Sequence, residues 1–287
     1  MCRFVLYMGP PITLDLLITR PTYSIIHQSY RSRMREEPLN GDGFGVAWYV
    51  PEISPEPAVF RSIQPAWNNT NLGDLARLTR SPVILAHVRA ASKGLSVSES
   101  NCHPFTAGPL AFMHNGSVAG FTGLKRAIQQ RLSDESFSGI RGTTDSEHVF
   151  ALFRDHYERT DPPVANDPVE RLASALAATI LEVDELARAA NPARHSYLNL
   201  AASDGRCAAV SRFATGEETA PTLFVHEGKE YTCQDGQCLM IDSPAQHRTV
   251  IVASEPLTDE PTWKAVPEEH MALIHPDLSV SFAAIDG

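Results

Sequence analysis

The sequence predicts an α+β fold of largely antiparallel sheets covered by helices, and three features of its patterning predict it. Short apolar runs bounded by Gly, Pro and polar residues dominate the first part of the chain. A block of helical periodicity follows, and from His195 onward the pattern is strand after strand. A doubly wound parallel fold would instead alternate strand and helix throughout, and no internal repeat suggests a solenoid.

Residues 2–7 (CRFVLY) read as a strand at the very start of the chain. Leu14, Leu17 and Ile18, then Tyr23, Ile26 and Tyr30, fall at helical spacing on two short helices broken at Pro21. Turn residues crowd positions 39–45 and lead into an apolar strand at 46–50. Further strands are predicted at 58–63, 82–88 and 109–114, with a helix marked by Leu72, Leu75, Ala76 and Leu78. Helices follow at 124–132 and 147–157. Thr144 with Glu147 three positions on has the form of a capping box for the second of these. A Pro/Asp-rich loop at 160–168 precedes the longest helix, whose stripe is Val169, Leu172, Leu176, Ile180, Val183 and Ala187. Strands close the chain at 196–202, 207–213, 223–226, 249–253 and 278–282. Between the third and fourth of these, Asp235-Gly236 signals a tight hairpin that sets Cys233 opposite Cys238 at a non-hydrogen-bonded pair.

No composition shift divides the chain, so residues 2–287 are expected to form one domain, with its motifs in 2–158 and a helix-and-strand completion in 159–287. Hydrophobic residues make up 43% of the 287, enough for a sizeable core. The formal charge of -10 and the lack of a dense basic run exclude a nucleic-acid partner. No apolar stretch reaches the roughly 18 residues a membrane helix needs, and the start lacks the pattern of a signal peptide, so a cytoplasmic location is expected. Five irregularly spaced cysteines fit a reducing compartment, where Cys233 and Cys238 are expected as free thiols, with a cross-strand disulfide between them as the alternative under oxidation.

Four positions suggest chemistry. Trimming of Met1 would expose Cys2 as a thiol beside a free α-amine, whose reference pKa of about 7.7 to 8.0 suits it to take the thiol proton. Read alone, a cysteine at position two is more often an accident of the start site. Asn115-Gly116 after an apolar strand offers a side-chain amide and a backbone N–H for an oxyanion, although an isolated Asn-Gly is more often a turn. Arg89 ends a hydrophobic strand, where its planar fork suits a carboxylate. Asp145 starts a capped helix and either accepts from a substrate ammonium or merely complements the helix dipole. A zinc site of His87, Cys102, His103 and His114 is the rival reading for those residues, but their spacing matches no known ligand pattern.

Together these positions resemble the class II glutamine amidotransferases, which are N-terminal nucleophile hydrolases. The matching motifs are Met1-Cys2-Arg3-Phe4, Asn40-Gly41-Asp42-Gly43-Phe44-Gly45, His87-Val88-Arg89-Ala90-Ala91-Ser92, Asn101-Cys102-His103-Pro104-Phe105, His114-Asn115-Gly116 and Thr144-Asp145-Ser146-Glu147. The later run Ala253-Ser254-Glu255-Pro256-Leu257 is similar to a compact branch of the family, which includes an ergothioneine-pathway amidohydrolase and a fungal glutathione-degrading subunit. The resemblance implies a four-layer αββα sandwich in which Cys2 attacks a γ-glutamyl carbonyl and forms a thioester. It implies that Asn115 and Gly116 hold the oxyanion, that Arg89 binds the α-carboxylate and that Asp145 binds the α-ammonium. His103 and Ser92 join the substrate-binding set by motif position. Ala90 and Ser92 depart from the aromatic residue and threonine frequent in the larger family.

The expected partner is glutamine or a larger γ-glutamyl small molecule, with no cofactor and no metal. One alternative is a glutaminase subunit that passes ammonia to a separate acceptor protein. The other is a catalytically silent γ-glutamyl-binding protein, which would have no need of Cys2.

Overall fold

Alternation along the first strand, β1 (Arg3–Thr13), sets the architecture. Phe4, Leu6 and Met8 point to one side of it, and Val5 and Tyr7 to the other, and all five are buried. A strand buried on both faces must be covered twice. The computed structural model describes residues 2–34, 39–91, 97–160, 167–191, 193–234, 237–242 and 247–286. Met1, Ser92, Lys93, residues 161–166 of the predicted loop and the Asp235-Gly236 turn lie outside them.

Among the described residues, β1 is central in a seven-stranded sheet with β2 (Phe44–Val50), β3 (Ser54–Ser62), β4 (Arg80–Val88), β9 (Phe224–Gly228), β12 (Thr249–Ala253) and β13 (Lys264–Ala265). The order is β13-β9-β12-β1-β4-β2-β3. A six-stranded sheet holds β5 (Phe105–Ala107), β6 (Leu110–Ser117), β7 (Tyr197–Ser203), β8 (Ala208–Arg212), β14 (His270–Ile274) and β15 (Val280–Ala284). Its order is β15-β14-β8-β7-β6-β5. Neighbouring strands in both sheets pair antiparallel.

Three apolar clusters fill the spaces between four layers. Phe4, Leu6 and Met8 meet Ala111, Met113, Ala201 and Val210 of the other sheet in the central one. Val5, Tyr7 and Ile84 on the opposite face pack against α1 (Asp15–Ile18), α2 (Ile25–Tyr30) and α3 (Thr70–Leu78) through Leu17, Ile25 and Leu72. The outer face of the second sheet, with Phe112, Leu200 and Ala209, packs against α4 (Phe121–Gln129), α6 (Asp145–Arg159) and α7 (Pro168–Ala190) through Leu124, Phe153 and Leu176. The sandwich is therefore αββα. The long helix α7 starts as its sequence dictates, with the Asp167 side chain accepting from Val169 N and Pro168 in the first turn.

Several predicted boundaries shift. β1 runs on from Tyr7 to Thr13, with an irregular register between Met8 and Ile12. β5 and β14, and the short helix α5 (Asp134–Gly139), were not predicted at all. The capping box is half formed. Thr144 Oγ1 accepts from Glu147 N at 3.3 Å, but the Glu147 carboxylate turns to Arg141 N and Gly142 N. The hairpin of β10 (Glu230–Gln234) and β11 (Gln237–Ile241) pairs Cys233 with Cys238 as expected, yet their sulfurs are bonded, which corrects the expectation of free thiols. The short cross-strand separation, 3.9 Å between Cα atoms, brings the two side chains together.

Candidate active site

The pairing of β1 with β4 builds one half of the site. Arg3 lies opposite Val88, so Cys2, just ahead of β1, meets the residues that follow β4. Ala90 N donates to Cys2 Sγ at 3.4 Å, and the thiol lies 3.7 Å from Ala90 O. Cys2 is only part-buried, but desolvation of its sulfur pushes the thiol pKa up, against the Ala90 hydrogen bond and the Arg89 charge, which lower it. Such a thiol needs a proton acceptor before it attacks.

Arg89 is clasped by the glycine-rich loop. Arg89 N donates to Gly43 O at 2.9 Å, Asp42 N donates to Arg89 O at 3.1 Å, and Asp42 Oδ2 accepts from Ala91 N at 2.8 Å. Arg89 Nη1 reaches Asp42 O at 3.3 Å and the side chain is buried. Gly43 is held at a φ of 112°, and a Cβ there would stand 2.7 Å from Cys102 Sγ, so the loop requires glycine.

The other half comes from the second sheet. Asn115 and Gly116 lie within β6, opposite Asn199 and Leu198, and are not a turn after it. A side chain at Gly116 would collide with the Tyr197 carbonyl. Asn115 Nδ2 donates to Ser254 Oγ at 3.4 Å, and the same oxygen accepts from Phe4 N at 3.0 Å. Ser254 N returns a bond to Phe4 O at 3.0 Å. One hydroxyl thus ties the strand that carries Cys2 to the asparagine of the facing sheet.

Histidines stiffen this junction. His87 Nε2 donates to His114 O at 3.2 Å, and His114 Nε2 donates to Tyr197 O at 2.9 Å while its Nδ1 accepts from Ser146 Oγ at 2.9 Å. His103 is buried with its ring 4.1 Å from that of His87 and 4.6 Å from that of Phe105. Burial drives His87 down to about 3 and His103 well below its ordinary value, so both rings are neutral near pH 7. Both nitrogens of His103 have no partner among the described residues. No group of three or more His, Cys, Asp or Glu among the described residues is arranged to hold a metal.

Asp145 is the first residue of α6. Its Oδ2 accepts from Val118 N and its Oδ1 from Ser146 N, each at 2.8 Å, and Oδ1 also lies 3.4 Å from Ser146 Oγ, leaving a lone pair on Oδ2 for a further donor. The Asp145 charge also bears on the Cys2 thiol, behind burial, in the raising direction. Ser92 is outside the described residues.

Sequence reasoning gave no role to Ser254 or to Glu255, which anchors the ground beneath Cys2. Glu255 Oε1 accepts from Arg3 Nε at 2.8 Å and Ser32 Oγ at 2.6 Å, and its Oε2 from Arg33 N at 3.1 Å. Arg3 Nη1 donates to Asn40 Oδ1 at 2.7 Å. Burial acts to raise the Glu255 carboxyl, but the Ser32 and Arg3 hydrogen bonds and the Arg3 charge together hold it below the usual range. The signal available was the run 253–257, legible as a motif but silent about its contacts.

The sequence model of the family described as "Glutamine amidotransferases class-II" matches residues 17–282. This chain belongs to that family. It is accordingly an enzyme, which sets aside the silent binding protein. Among related class-II glutamine amidotransferases, the Saccharomyces cerevisiae protein named "Probable glutamine amidotransferase DUG3" is 40% identical over 308 residues, covering 96% of this chain and 84% of that one. The gamma-glutamyl-hercynylcysteine sulfoxide hydrolase of Mycolicibacterium smegmatis is 29% identical, covering 94% of each chain. A class-II domain protein from Silicibacter pomeroyi superposes over 100% of both chains with a TM-score of 0.66 and 27% identity. The glutamine phosphoribosylpyrophosphate amidotransferase of Bacillus subtilis shares the fold, with a TM-score of 0.61 and 14% identity over 49% of its length. The described residues include no helix long and apolar enough to cross a membrane.

Proposed function

We propose that this amidotransferase hydrolyses the γ-glutamyl amide of glutamine or of a larger γ-glutamyl compound, with Cys2 as nucleophile after removal of Met1. The observation that carries the reading is the convergence of Cys2, Arg89 and Asn115 at one end of the two sheets, with Ser254 bridging between them. The names of the relatives, a probable glutamine amidotransferase and a gamma-glutamyl hydrolase, support the substrate class.

In this reading Arg89 takes the α-carboxylate and Asp145 the α-ammonium, which fixes the γ-carbonyl over Cys2. His103 and Ser92 belong to the substrate-binding set by motif position alone. The Cys2 amine accepts the thiol proton, and Sγ then bonds to the γ-carbon while Asn115 Nδ2 and Gly116 N hold the oxyanion. The carbon–nitrogen bond breaks, the leaving amine takes the proton, and water activated by the same amine cleaves the thioester. The second reading, delivery of ammonia to an acceptor or partner subunit, is supported by the name of the yeast relative, a probable glutamine amidotransferase.

The test is intact mass and peptide mapping after reaction with 6-diazo-5-oxo-norleucine, an electrophilic glutamine mimic. The expected product lacks Met1 and carries one adduct on Cys2, and Cys2→Ala folds but neither reacts nor turns over substrate. An unprocessed chain that still hydrolyses glutamine, or full activity in Cys2→Ala, would reject the mechanism.

A further inference from the structure

Away from the sulfur of Cys2, the helical side of the second sheet holds a cavity of about 380 Å³ between β5, α5 and the start of α6. It shares no lining residue with Cys2, Arg89, Asn115, Gly116 or Asp145. Three arginines from separate parts of the chain reach it: Arg61 from β3, Arg141 ahead of α6 and Arg154 within α6. In a chain of formal charge -10 this is a local reversal of sign.

The cations are poorly matched by carboxylates. Arg154 pairs with Glu135, but among the described residues Arg61 donates from Nε and Nη2 only to the Pro104 carbonyl. Arg141 has no ion pair among the described residues. Glu147, the one acid in the wall, already spends both oxygens on Arg141 N and Gly142 N. Burial lowers the Arg61 pKa, and the nearby Glu147 and Glu99 charges, which act to raise it, do not offset that burial. Ser100 adds a hydroxyl to the lining.

We propose that this cavity is a binding site for a small oxyanion, a phosphate or a polycarboxylate, held by the forks of Arg61, Arg141 and Arg154. Three guanidiniums against the Glu135 and Glu147 carboxylates leave the wall net positive, and their planar donors match the oxygens of either group. Arg141 stands four residues before Asp145, so an occupant also steadies the segment that leads into α6.

Isothermal titration of the full chain with inorganic phosphate, and separately with citrate, at constant ionic strength tests the site. Saturable one-to-one binding is expected. The tighter of the two anions identifies the source, phosphate or carboxylate. Arg141→Gln changes an exposed side chain and leaves the fold intact; it is expected to weaken binding about tenfold, the loss of one charge-assisted contact. Arg61→Gln is the second variant and is expected to weaken binding by at least as much. No saturable binding of either anion to the wild type, or unchanged affinity in both variants, overturns the proposal.

Discussion

Ser254 is the residue that joins the two halves of the site, accepting from Phe4 N on the strand behind Cys2 and from Asn115 Nδ2 on the facing sheet. Ser254→Ala leaves both donors without their acceptor and frees the asparagine to rotate away from the proposed oxyanion position. Because oxyanion contacts strengthen as the reaction proceeds, kcat is expected to fall about tenfold or more with KM little changed. Steady-state kinetics on glutamine decide the matter, and a raised KM at unchanged kcat would make Ser254 a binding residue instead. The sequence could not have supplied this role. Cys2 and Arg89 could be singled out as candidates by residue type and position, whereas Ser254 acts through partners 250 and 139 positions away. Nothing local to a serine after an apolar strand distinguishes a bridge from a surface hydroxyl.

The start of α6 shows what local pattern specifies and what it leaves open. Thr144 caps the helix as its sequence requires, and this fixes the direction of Asp145 at the first helical position. Glu147 has the right spacing to reach back to Thr144 N, but Arg141 N and Gly142 N compete for it, and these two backbone donors just upstream win over the capping box. Thr144→Ala is expected to cost about 1 kcal/mol of stability and to raise KM for the glutamyl substrate by loosening Asp145. Urea denaturation read beside steady-state kinetics checks both effects, and a stability loss with no change in KM would separate the cap from the site. Elsewhere the missed elements are those with weak periodicity. β5 has three residues, and α5 (DESFSG) is started by the Ser133 side chain accepting from Ser136 N and carries no apolar stripe. Asn115-Gly116 reads locally as a turn and is a strand because Asn199 and Leu198 pair with it across the sheet, information that lies some 80 residues downstream.

At the scale of the whole molecule, both central sheets are covered on each face, so polar rings carried on their strands are sealed from water. The antiparallel, helix-covered character was legible because alternation and helical stripes are local. The pairing order was not, since β12 joins β1 from the far end of the chain. His87 and His226 show the consequence: both are almost fully buried, and burial lowers them to about 3 and about 4. In the unfolded chain an imidazole titrates near 6.5. Between that value and about 4, the unfolded chain therefore binds protons that the folded chain refuses, and stability falls as pH falls. Each such imidazole steepens the loss by up to about 1.4 kcal/mol per pH unit. Glu255 acts in a lower window, because its folded value lies below its ordinary 4.5: its stabilising contribution is full above that ordinary value and is lost as the pH falls from there through the folded value. The first acid loss, between about pH 6.5 and 5, thus belongs to the histidines. Urea midpoints measured at pH 7.5, 6.5, 5.5 and 5 should decline across that range, and His226→Gln, which no longer takes up that proton, should decline less steeply. A midpoint flat from pH 7.5 to 5 would mean that the sheets do not hold these rings neutral.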